Sequence, residues 1–154
     1  MDTGSSAFIL ICSAMVCLMT PALAFFYGGL GRRKNVINTM MMSVLPLAIA
    51  SLLWVVAGYS LSFGGHGYFF GNISHLFLHG VSETASSRGL AIPDLLFAAF
   101  QMMFSIICVA ILTGSVVGRM RFTPLAIFVV FWLLLVYYPF AHMVWGDGIL
   151  AKWG

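Results

Sequence analysis

Four long apolar stretches, separated by short polar ones, organise the chain. The first runs from Ala7 to Leu30, and no charge lies between Asp2 and Arg32. The second extends from about Ile37 to Phe63, the third from about Pro93 to Val117 and the fourth from about Phe122 to Val144. Each is near the ~20 apolar residues that cross a hydrocarbon core of roughly 30 Å, so each predicts a membrane-spanning helix. The last two flank the turn Gly118-Arg119-Met120-Arg121-Phe122 and read as a helical hairpin around which the rest is arranged. The fold class expected is all-α: a polytopic integral membrane bundle of four transmembrane helices, forming one membrane domain over residues 1–154.

Composition agrees with that pattern. A chain of 154 residues with 62% hydrophobic and 7% charged residues, and a mean hydropathy of +1.06, is outside the range of soluble domains. Its net charge of +3 comes from residues scattered beside the spans, which argues against nucleic acid as a partner and for topology signals. Arg32, Arg33, Lys34, Arg119 and Arg121 lie in the first and third turns, against Arg88 and Lys152 elsewhere. The positive-inside rule therefore predicts cytoplasmic turns at 31–36 and 118–122 and both termini outside. No basic residue precedes the first run, and the run is too long for a signal peptide's apolar core, so it reads as a span.

Pro21 and Pro46 lie inside the first two spans. A bend is expected at Pro21, with a hydroxyl such as Thr20 repairing the freed backbone and Gly28-Gly29 closing the helix. Ser43, Ser51 and Gly58 permit close helix approach in lipid. Met40-Met41-Met42 reads as adaptable packing, and Cys12, Cys17 and Cys108 as small buried hydrophobes. Trp54 and Tyr59 are expected to be apolar filler or interfacial anchors.

The loop from Gly64 to Ile92 is rich in Gly, Ser and His. His66, His75 and His79 offer only one i, i+4 pair and predict no metal site. Asn72-Ile73-Ser74 is a glycosylation sequon usable only in a secretory pathway. The acids Asp2, Glu83, Asp94 and Asp147 stand at span ends or in loops, where they converge on no catalytic constellation, so neither an enzyme nor a cofactor is expected. Polar groups inside the spans are Gln101, Ser105, Thr113, Tyr137, Tyr138 and His142. They could line a path or hydrogen-bond between helices. Phe104 and Trp145 are core and belt residues unless they converge on an outward pocket, where aromatic faces would attract a cation by ~0.5–2 kcal/mol each.

Several ordered motifs resemble the ammonium transporter family (Amt/Mep/Rh). Thr20-Pro21, Ala24 to Leu30 and Arg33-Lys34-Asn35-Val36 resemble that family's first helix and first cytoplasmic turn. Leu53 to Val56, Gly58 to Leu61 and Phe63-Gly64 resemble the exit of the second helix. Phe100-Gln101 with Phe104, Arg119 to Phe122, Tyr138-Pro139 and Ala141 to Gly146 resemble the third and fourth.

The resemblance implies ammonium transport by a homotrimer of protomers, each with about eleven spans in two inverted halves. It implies a cell-membrane location and a PII-type regulatory protein at the cytoplasmic face. It assigns substrate binding to Trp145, for the recruiting indole, and to Phe104, for the gating ring, with Gln101 and Tyr137 beside them. The chain departs from the pattern in stopping at Gly154. The paired pore histidines and the hydroxyl of the outer site are absent, and no histidine here matches that pair. Gly118 stands where the family often carries an acid. The chain is thus expected to be an amino-terminal portion of a transporter that conducts nothing selectively by itself; the alternative is a non-transporting membrane subunit or sensor.

Overall fold

The computed structural model describes residues 2–31, 35–116 and 118–153; Arg32-Arg33-Lys34 and Val117, which the predicted first turn and third span include, lie outside them. The described residues form helices and turns without a strand. Four helices are long and apolar enough to cross a membrane: α1 Thr3–Leu30, α2 Val36–Phe63, α3 Asp94–Val116 and α4 Phe122–Trp145.

These bounds match the hydropathy pattern except at the start of α1, which begins at Thr3 rather than Ala7. Asp2 is the reason. Its carboxylate accepts from the backbone N–H of Gly4 and Ser5 and from the Ser5 hydroxyl, satisfying donors that the first turn leaves open. Those bonds also hold the carboxyl below the usual carboxylate range. Pro21 is accommodated within a continuous α1, but Thr20 Oγ1 is buried without a partner and so does not perform the expected repair. The helix ends at Leu30 with Gly31 as its cap, past Gly28-Gly29.

The packing centre is α2 rather than the α3–α4 hairpin. It touches α1, α3 and α4, and α1 also packs on α3. Small residues permit this: a Cβ on Gly58 would meet the Tyr138 ring at 2.6 Å, and one on Gly114 would run into the Tyr27 ring. Trp54 and Tyr59 are buried, not interfacial. The Trp54 indole N–H donates to the Ala98 carbonyl at 3.1 Å, tying α2 to α3, while its ring meets Tyr138 edge-on at 5.8 Å.

Both α2 and α4 widen into π-helical turns, at Trp54–Gly58 and Leu133–Tyr137. They face each other through the Gly58–Tyr138 contact. Such turns are rare, cluster at functional sites and redirect the helix that follows. Here they precede the ends of α2 and α4 that lie against the loop after α2.

Candidate functional site

The loop after α2 is built back onto its helices by hydrogen bonds. Ser60 Oγ donates to the Asn72 carbonyl at 2.7 Å and accepts from the His75 N–H at 3.0 Å. The Gly71 N–H donates to Leu61 at 2.8 Å. Asn72 Oδ1 accepts from the Ser74 backbone and hydroxyl, closing a local turn at the sequon. At the far end, the buried Asp94 carboxylate accepts from Ser86 Oγ at 3.2 Å and the Ser87 N–H at 2.8 Å, fixing the entry to α3.

His142 joins this loop to α4. Its imidazole is fully buried, with Nδ1 2.9 Å from the Ser62 carbonyl oxygen and Nε2 2.9 Å from that of Gly67. One ring thus bridges the end of α2 and the loop, one helical turn before Trp145. The ring does not line the cavity described below.

Between loop and helix ends lies a cavity of about 580 Å³ whose walls include Tyr59, Phe63, Arg88, Phe97, Gln101 and Trp145. Of the residues expected to bind substrate, Gln101 and Trp145 are brought together here. Trp145 is 57% exposed, so its ring is available to a ligand. Phe104 and Tyr137 do not line the cavity. Phe104 lies one turn further along α3, 37% exposed, with its ring edge-on to Phe100 at 5.0 Å. Tyr137 stacks on Trp132 at 6.1 Å and meets Tyr138 at 5.8 Å.

The remaining wall residues were not legible as site residues. Phe63 and Phe97 meet edge-on at 5.0 Å, and the Arg88 guanidinium sits 4.8 Å from the first ring centroid and 5.5 Å from the second. It also donates to the Phe63 carbonyl. The available signal was that Arg88 is the only Lys or Arg between Gly64 and Ile92. Asp94, His66, His75, Ser87 and Asp147 complete the polar lining. His66 and Asp147 approach at 3.9 Å in an exposed, screened pair. No group of three His, Cys, Asp or Glu among the described residues could hold a metal ion.

Chemically, the cavity offers aromatic faces and carbonyl or carboxylate oxygens to something small and cationic. Nothing in it pairs a nucleophile with a base.

Residues 7–154 match the sequence model of the Ammonium Transporter Family. The ammonium transporter of Bacillus subtilis is 41% identical over 154 residues, covering 100% of this chain and 38% of that protein. Ammonium transporter Amt1 of Archaeoglobus fulgidus is 41% identical over 155 residues, again covering 100% of this chain and 37% of the relative. Among solved structures, Candida albicans Mep2 superposes with a TM-score of 0.89 at 30% identity, over 99% of this chain and 34% of Mep2. A sensor Amt protein superposes with a TM-score of 0.83 at 25% identity, over 97% of this chain and 37% of that one. The chain therefore spans less than two fifths of the length of these relatives. With its four membrane-crossing helices and a match over nearly every residue, it is a multi-pass membrane protein that belongs to the ammonium transporter family, a family of transporters rather than enzymes.

Proposed function

We propose that the polypeptide carrying these helices moves ammonium across the cell membrane and that the cavity under Trp145 is where it recruits the ion. The observation that carries this reading is the convergence of Trp145 and Gln101 with Tyr59, Phe63 and Phe97 on one opening at the ends of α2, α3 and α4. An ammonium ion entering there exchanges water for ring faces and oxygen acceptors. Phe104, one turn further along α3, begins an apolar passage in which an isolated charge is costly, so the neutral form is favoured beyond it. Residues supplied by the rest of such a polypeptide complete the pore, consistent with inverted halves.

In this reading the protein is a homotrimer with both ends of this segment outside, and the turns at 31–36 and 118–122 face the cytoplasm, where a PII-type regulator can dock. The test is uptake of methylammonium by the full-length polypeptide with Trp145→Leu. Loss of one aromatic face worth ~0.5–2 kcal/mol should raise the half-saturation concentration roughly two- to thirtyfold. An unchanged concentration dependence would count against the site.

A second reading is a non-transporting membrane subunit or sensor. The close superposition on a sensor Amt protein supports it. In that case Trp145→Leu changes a signalling output while uptake is nil in wild type and variant alike.

A further inference from the structure

Arg88 fills an aromatic slot that would suit a small cation. Its guanidinium lies against Phe63 and Phe97, at 4.8 and 5.5 Å from their centroids. Its N–H donates to the Phe63 carbonyl at the C-terminal end of α2, where the helix dipole is negative. Aromatic faces, a carbonyl and a helix C-terminus together attract positive charge. No carboxylate approaches the guanidinium within 4.0 Å among the described residues. The nearby Asp94 carboxylate is occupied by Ser86 and Ser87.

We infer that Arg88 is a resident cation that sets how weakly the cavity holds its substrate. The inference rests on the proposed recruitment of ammonium at Trp145. The slot between Phe63 and Phe97 is already taken, so an incoming ion is left with the Trp145 and Gln101 side of the same cavity. There it meets Coulomb repulsion from a fixed positive charge, worth on the order of three- to tenfold in affinity at an effective dielectric between that of protein surface and water. Asp94 and Asp147 on the lining oppose this repulsion. Removing Arg88 leaves those two carboxylates with no fixed cation. Weak holding is useful, because conduction requires a site that fills readily and also releases its ion.

The experiment compares methylammonium uptake by the full-length polypeptide in wild type, Arg88→Met, Arg88→Lys and Trp145→Leu. Arg88→Met should lower the half-saturation concentration on the order of three- to tenfold and lower the maximal rate, since release slows. General structural damage would lower the rate without improving affinity. Arg88→Lys keeps the charge but loses the planar stacking on Phe63 and Phe97, so its half-saturation concentration should fall between those of wild type and Arg88→Met. A companion measurement uses methylguanidinium: it should inhibit Arg88→Ala by entering the vacated slot, at concentrations that leave wild type unaffected. An unchanged or raised half-saturation concentration in Arg88→Met overturns the inference, as does a shift in Arg88→Lys as large as in Arg88→Met. Should the Met and Ala variants fail to accumulate in the membrane, Arg88→Gln takes their place: a half-saturation concentration lowered on the order of three- to tenfold supports the resident charge, and an unchanged or raised one sinks it. If Trp145→Leu raises the half-saturation concentration while Arg88→Met does not move it, only this inference fails. If neither variant moves it, the recruitment reading itself falls.

Discussion

At the scale of single residues, His142 shows how a polar group inside an apolar span can serve architecture. It faces two carbonyl oxygens, at Ser62 and Gly67, from a fully buried ring. Truncation to alanine removes the ring N–H that serves one of these two carbonyls, at a cost of about 1–3 kcal/mol. The predicted result for His142→Ala is a lower unfolding temperature together with faster amide exchange at Gly71 and Asn72, whose N–H groups close the loop on Leu61 and Gly64. Protection there equal to wild type would show that the loop holds without the histidine. The sequence marked His142 only as polar and intramembrane, because its partners are backbone carbonyls about eighty and seventy-five positions away. Trp145 was easier to single out, since an aromatic at a span end is conspicuous even before its neighbours are known.

At the scale of elements, the spans were legible and their interiors were not. Length and hydropathy suffice to locate a membrane helix, because a hydrocarbon core demands about twenty apolar residues whatever the packing. The π turns depend instead on what lies across the interface. Gly58 leaves room for Tyr138, whose ring atoms would come within 2.6 to 2.9 Å of an added Cβ. Tyr138 has no slack, being fully buried against Trp54 and Tyr137. Gly58→Ala is therefore expected to destabilise the protein by about 1–3 kcal/mol through overpacking. The Tyr138 hydroxyl, by contrast, is buried without a partner, so Tyr138→Phe should be neutral or slightly stabilising. Thermal unfolding in detergent separates the two, and equal losses from both would mean that the hydroxyl matters more than the fit.

At the scale of the whole molecule, hydropathy gives spans but not their neighbours. The hairpin made by α3 and α4 is the obvious unit along the chain, yet α2 is what the others pack against. Only 11% of the most apolar window of α1 is buried, against 33% for α3 and α4, so α1 presents most of its surface outward. The cavity needs this arrangement, because its walls come from the ends of α2, α3 and α4 and from one loop. An orientation can be tested directly on that frame. The charge count puts the loop around Glu83 outside and the turn around Met120 inside, since Arg119 and Arg121 flank the latter without an acid. With Cys12, Cys17 and Cys108 replaced by alanine, a cysteine at position 83 should react with an impermeant maleimide added to intact cells. One at position 120 should react only after the membrane is opened. The reverse pattern would turn the protein over in the membrane and put Trp145 on the cytoplasmic side, where it would face ammonium leaving the cell rather than ammonium arriving.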